Sequence, residues 1–170
     1  MRFLGFLVLG LVLGPVCMAQ KARVVFYSNA YGVKSTVAGL APVSRQPFPG
    51  WLYEGDEKLA PFRAGRFVVL DFEAGTHVFM ANHSSDQSSP NVLVLNVEAD
   101  STHCVRLSAE AVNWYLTGIQ TYHGRIEEVP CGAVAGELQK MKALSTKRMP
   151  KPAQDRLDPV QEAPTVAKPQ

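Results

Sequence analysis

Short runs of β-branched and aromatic residues, separated by turn-forming residues, set the character of this chain from Arg23 onward. Residues 23–28 (Arg-Val-Val-Phe-Tyr-Ser) predict a first strand. Residues 29–50 carry Gly32, Gly39, Pro42, Pro47, Pro49 and Gly50 with no clear period, which predicts loop with a short strand near Thr36-Val37. Trp51-Leu52-Tyr53 is a brief extended piece that runs into a turn at residues 54–57. Residues 66–72 place Val68, Leu70 and Phe72 on one face, the core side of a strand. Glu73-Ala74-Gly75 then predicts a tight turn, with residues 76–81 as the return strand and Val78 and Met80 facing the same core.

Further on, residues 91–98 set Val92, Val94 and Asn96 opposite Leu93, Leu95 and Val97. Ala99-Asp100-Ser101 turns that strand into residues 102–108, which predicts a second hairpin. Residues 115–122 and 125–129 form a third pair around His123-Gly124. Behind Pro130 the period changes. Val134, Leu138, Met141 and, slightly off phase, Leu144 recur at helical spacing. Glu137 in the first turn and Lys140 and Lys142 toward the end would complement the helix dipole. Residues 145–170 hold Pro150, Pro152, Pro159, Pro164 and Pro169 and almost no large apolar residue, which predicts a disordered Pro-rich tail. The expected fold is therefore all-β, mainly an antiparallel β-sandwich over residues 20–144, with one C-terminal α-helix and a disordered tail.

The first nineteen residues obey a different rule. Arg2 precedes an apolar run from Phe3 to Leu13, and Gly14-Pro15 breaks it before Cys17-Met18-Ala19. A positive start, a short apolar middle and small residues at the end describe a signal peptide cleaved after Ala19. The run falls short of the roughly 18 to 20 apolar residues that span a bilayer, so no stable membrane span is expected. Gly14-Pro15-Val16 makes a poor lipobox, so lipid anchoring at Cys17 is the lesser alternative to a free periplasmic or secreted protein.

Composition adds exclusions rather than a function. The chain is 46% hydrophobic and 19% charged, ordinary for a globular protein, with a formal net charge of +2. Losing Arg2 with the leader brings it closer to neutral, so nucleic acid is not an expected partner. Of three cysteines, Cys104 and Cys131 remain in the mature chain. In an oxidising compartment they favour a structural disulfide, with two buried thiols or redox chemistry as alternatives. A closed loop of that length would contribute roughly 3 to 4 kcal/mol on the chain-entropy view.

The order of elements resembles a bacterial family of secreted proteins and lipoproteins known as domain of unknown function 2846. The residues that carry the resemblance are Arg23-Val24-Val25-Phe26-Tyr27, Leu52-Tyr53-Glu54-Gly55-Asp56, Gly65-Arg66-Phe67-Val68-Val69-Leu70, Glu73-Ala74-Gly75-Thr76-His77 and the strands of residues 91–107. Ala74 stands where a proline is commoner in that family, and residues 29–50 look like an insertion. PEGA-type and carboxypeptidase-regulatory-like modules share similar hairpin patterns. The resemblance implies an antiparallel β-sandwich and no activity, cofactor or site residue.

No motif in the chain identifies a reaction. His77, His83, His103 and His123 lack metal-ligand spacing, and no cofactor or metal is expected. Asp71 and Glu73 could mimic a glycosidase pair but lie opposite the core face and are expected to meet solvent. Glu127-Glu128 diverge as strand neighbours, and the serines of residues 84–89 lack a nucleophile context. Phe48, Trp51 and Tyr53, and later Trp114, Tyr115 and Tyr122, are aromatic groups able to plug the core or to stack on a sugar. Lys147-Arg148 with Lys151 is expected to be a solvated tail cluster. The expected function is a non-enzymatic binding or accessory module of the cell envelope, partnered by an envelope protein or glycan. The alternatives are an envelope hydrolase acting on glycan or peptidoglycan and a structural component of an envelope complex.

Overall fold

A continuous apolar run such as Val24-Val25-Phe26-Tyr27 belongs in a strand covered on both faces, because alternation is needed only where one face meets water. The computed structural model, which describes residues 21–29, 33–35, 43–47, 49–83, 91–114 and 119–161, places that run inside a sheet with a layer on either side. In chain order the strands are β1 (Lys21–Ser28), β2 (Val33–Ser35), β3 (Val43–Pro47), β4 (Gly50–Glu54), β5 (Glu57–Phe62), β6 (Arg66–Glu73), β7 (Gly75–His83), β8 (Asn91–Val97), β9 (Thr102–Trp114) and β10 (Ile119–Val129). Helix α1 (Cys131–Leu138), strand β11 (Lys142–Ala143), a 3-10 turn at Thr146–Arg148 and helix α2 (Lys151–Asp155) follow.

The larger sheet runs β11-β6-β1-β9-β3-β2, with β10 also paired to β9; the smaller runs β5-β4-β7-β8. Pairing is antiparallel except for β1 with β9 and β11 with β6. Val24, Phe26, Val68, Leu70 and Phe72 point into the main core between the sheets, against Leu52, Leu59, Phe79, Leu95 and Val97. The alternate residues Val25, Tyr27, Phe67 and Val69 form a second cluster, roofed by Val134 and Leu138 of α1. Each fully buried side chain of this size contributes about 1.5–3 kcal/mol. Tyr27 is fully buried there, and burial pushes its phenol up to about 12.

The class is as the sequence predicts, but the connections differ. β6 and β7 are not a hairpin: β6 pairs with β1, whereas β7 pairs with β4 and β8 in the other sheet. Ala74 alone separates them, and Gly75 at φ 150° turns the chain from one sheet into the next. The inward phase of β7 is consequently Phe79 and Ala81, not Val78 and Met80, and Val78 is 40% exposed. A single-residue shift swaps the faces of a strand. Phe26, Phe72 and Phe79 meet edge to face across this corner, with ring centroids 5.0 to 6.2 Å apart.

The expected second hairpin is also a crossing between sheets, since β8 and β9 do not pair and Asp100 takes φ 57° between them. The expected turn at His123-Gly124 lies inside β10, whose partner is β9 along its whole length. Strands β2 and β3 occupy part of the stretch expected as loop. A register shift between Leu52 and Tyr53 breaks simple alternation in the β4–β5 hairpin, where Leu59 and Ala60 are both buried. Helix α1 stops at Leu138, and Glu137 sits near its end rather than in its first turn. Met141 and Leu144 lie beyond it, flanking β11, which adds to β6 through Lys142 N to Gly65 O (3.1 Å) and Leu144 N to Phe67 O (2.7 Å).

The largest correction concerns residues 145–161, which the sequence predicts to be disordered. Met149 and Ala153 are buried in the main core, and Leu157 packs against it. Asp71 N donates to Arg156 O (2.8 Å), and Asp158 N donates to Val69 O (3.2 Å). The side-chain amide of Gln161 mimics a neighbouring strand: Nε2 donates to Val69 O (2.7 Å) and Oε1 accepts from Val69 N (3.0 Å). The segment thus continues β11 along the open edge of β6, which would otherwise present unpaired backbone to other chains. Residues 1–19, Thr36-Val37, residues 84–90 and residues 162–170 lie outside the described residues.

Candidate functional site

Where β4 begins, β5 ends and β6 begins, the two sheets part, and the C-terminal segment crosses the opening. A cleft of about 790 Å³ results, walled by Pro49, Gly50 and Trp51, by Pro61, Phe62 and Arg63, by Arg66, and by Leu144, Ser145 and Arg148. The cluster Lys147-Arg148, expected to be a solvated tail, therefore supplies one wall through Arg148, while Lys147 faces water. Trp51 is half-buried, with Lys58 Nζ 5.1 Å from its ring centroid. Arg66 is steadied by a 3.4 Å hydrogen bond from Nη1 to Ala143 O, whereas Arg63 and Arg148 are exposed.

Among the described residues, no carboxylate lines this cleft. Among the described residues, none of these three guanidinium groups is paired with a carboxylate. Convergence of three like charges is notable in a chain whose charges otherwise nearly balance. Guanidinium forks match carboxylate and phosphate oxygens in bidentate fashion, and an indole offers a flat apolar surface to a sugar ring. Among the described residues the lining holds no imidazole or thiol.

The chain matches no protein-family model, no curated protein and no solved structure. The chemistry of the cleft rests on its own residues.

Residues singled out in the sequence are dispersed around this site. Cys104 and Cys131 form a disulfide with Cα atoms 5.2 Å apart, which ties the start of α1 to β9. His77 sits at the β6–β7 corner, with Nδ1 2.6 Å from Glu54 Oε1 and Nε2 2.9 Å from Glu73 O. Its ring stacks on Phe79, with centroids 6.0 Å apart. Arg156 takes the other oxygen of Glu54, reaches Glu57 Oε2 at 3.3 Å, and lies 5.4 Å from the Phe72 ring centroid. Burial raises the Glu54 carboxyl, but the hydrogen bonds from His77 and Arg156 outweigh it and hold the group below its ordinary value. This cluster is a latch for the C-terminal segment.

Asp71 is partly buried rather than fully solvent-facing, and burial together with the nearby Asp158 raises its carboxyl; Glu73 is exposed. Asp158 is itself 4% exposed and pairs with Arg23. Glu127 is held by Arg106 and Arg125, and Glu128 by His103. No group of three or more His, Cys, Asp or Glu able to hold a metal ion occurs among the described residues. Phe48 and Tyr115 lie outside the described residues, as do the side chains of His83, Trp114, Tyr122 and His123. Arg63 and Arg66 have no distinguishing signal in the sequence: they join Arg148 only through the fold.

Proposed function

We propose that the protein is an exported binding module of the bacterial cell envelope that captures an anionic glycan in the cleft of Trp51, Arg63, Arg66 and Arg148. The observation that carries this reading is the set of three arginines that have no acidic partner among the described residues, beside a half-buried tryptophan. Anionic sugars present carboxylate or phosphate groups next to a flat ring face, and the cleft has a complement for each. The leader of residues 1–19, the Cys104–Cys131 disulfide and the resemblance to the domain of unknown function 2846 family support export to the periplasm or beyond. Among the described residues no helix is long and apolar enough to cross a membrane.

The test is a tryptophan fluorescence titration on the Trp114→Phe chain, which leaves Trp51 as the one tryptophan. A disaccharide muropeptide with free carboxylates should perturb Trp51 emission in a saturable way, and a neutral chitin oligosaccharide should bind at least about tenfold more weakly, a difference of ~1.4 kcal/mol. Equal response to both sugars, or no response to either, would remove the basis for the anionic-glycan reading.

A further inference from the structure

Ser101, His103 and Glu128 form a hydrogen-bonded relay at the opposite end of the larger sheet from the cleft. Thr102 stands in register with Arg23, which pairs with Asp71 at the far end of β6, whereas Arg66 of the cleft pairs with Ser28. His103 shares a strand face with Val105 and Leu107, which enter the main core, so the imidazole stands at the lip of that core. Its side chain is 15% exposed, which limits the orientations of the ring. Glu128 lies diagonally across on β10, because its register partner is Val105. Ser101 is two residues before His103, on the same side of the chain.

The geometry follows from this placement. Ser101 Oγ is 2.8 Å from His103 Nε2, and His103 Nδ1 is 2.8 Å from Glu128 Oε1. A hydroxyl, a base within hydrogen-bond reach of it and a carboxylate orienting the far nitrogen are the three parts of an activated nucleophile. Ser101 Oγ also lies 2.5 Å from Glu98 O. At rest the hydroxyl donates its one proton to that carbonyl, and rotation about the Cβ–Oγ bond turns it toward Nε2 of a ring protonated at Nδ1. Open hollows flank the relay, one of about 310 Å³ beside His103, Glu128 and the disulfide, the other of about 500 Å³ beside Ser101, Arg23 and Asp100.

We propose that this relay hydrolyses short-chain acyl esters displayed on larger molecules. Ser101 Oγ attacks the ester carbonyl carbon while its proton passes to His103 Nε2. The tetrahedral adduct collapses by breaking the bond to the alkoxide, which takes that proton and leaves as an alcohol. Water then attacks the acyl-Ser101 carbonyl and gives a proton to His103 Nε2. Release of the carboxylic acid returns the proton to Ser101 Oγ. Glu128 is a positioning residue that holds Nδ1–H and the imidazolium formed in each half-reaction. The hollows are open to solvent, which suits a small acyl group on a bulky carrier better than a free fatty chain.

The experiment treats the full chain with a fluorophosphonate probe and maps the adduct by peptide mass spectrometry, with p-nitrophenyl acetate as a parallel turnover assay. The expected result is a single adduct on Ser101, lost in Ser101→Ala. Labelling should slow about a hundredfold or more in His103→Gln, as for loss of a general base. Glu128→Gln should slow it as well, with partial rescue in Glu128→Asp, a pattern that a purely structural carboxylate would not produce. No adduct on Ser101 in the wild-type chain overturns the proposal whatever the variants do. Labelling of Ser101 at an unchanged rate in His103→Gln overturns it equally. Muropeptide binding at the cleft is a separate readout, so failure here leaves the glycan reading where it stands.

Discussion

Arg156 and Glu54 lie 102 residues apart in the chain and meet in an ion pair that fastens the C-terminal segment to the smaller sheet. The same carboxylate holds His77 at the corner between the sheets, and the same guanidinium reaches Glu57. Glu54 is 19% exposed, so removing its partner leaves a largely buried carboxylate without full compensation. Arg156→Ala should therefore destabilise the fold by about 1–3 kcal/mol. Arg156→Lys should recover only part, because an ammonium cannot fork between Glu54 and Glu57. Urea denaturation of the three proteins measures both differences.

Acid should weaken the same latch. Glu54 ionises below its ordinary value of 4.5 in the folded protein, so its contribution is complete above that value and fades as pH falls through the lowered one. Asp71 works in the other direction. Burial and Asp158 raise it, so its ionised form opposes the fold and protonation relieves that strain as pH falls. Thermal melts between neutral pH and pH ~3 should show a loss of stability in the wild type that is smaller in Glu54→Gln. Asp71→Asn should melt no lower than wild type at neutral pH.

The C-terminal segment is structural, and its deletion should show it. Met149→Ala removes a buried side chain from the main core and should cost about 2–5 kcal/mol. Lys147→Ala, at an exposed position, should stay within about 0.5 kcal/mol of wild type. A chain ending at Leu144 uncovers the edge of β6 and should aggregate or elute as higher oligomers on size-exclusion chromatography. A monomeric, equally stable truncation would refute this assignment.

The disulfide anchors α1, the lid over Val25, Tyr27 and Val69. Replacing Cys104 and Cys131 by serine should cost about 2–5 kcal/mol. Hydrogen exchange should show the earliest loss of protection at Val134 and Leu138. Alkaline titration gives a second view of that cluster. Because Tyr27 ionises only near 12 when folded, stability should decline as pH climbs from about 10 toward that value.

Strand-forming stretches at Val24–Tyr27, Val68–Phe72 and Leu93–Val97 were legible because each is a local pattern, and so was the pair Cys104 and Cys131. The connections were not, because a two- or three-residue turn looks alike whether it joins neighbours in one sheet or carries the chain across to another. Gly75 marks a bend in both cases. The C-terminal segment is illegible in the sequence for a different reason. Met149, Ala153 and Leu157 recur every four residues, but prolines dilute their signal, and much of their stabilisation comes from edge pairing with β6. The cleft was illegible altogether. Trp51 was recognisable as a candidate aromatic, but Arg63, Arg66 and Arg148 acquire meaning only when three distant stretches converge.

The most direct test of the glycan reading is a nuclear magnetic resonance titration of the full chain with the same carboxylated muropeptide. Capture in the cleft should give saturable shifts at the Trp51 indole N–H and the amides of Arg63, Arg66 and Arg148, and weaker binding in Arg63→Ala and Arg148→Ala chains that remain folded. Shifts confined to other surfaces, or undiminished binding in those variants, would contradict it.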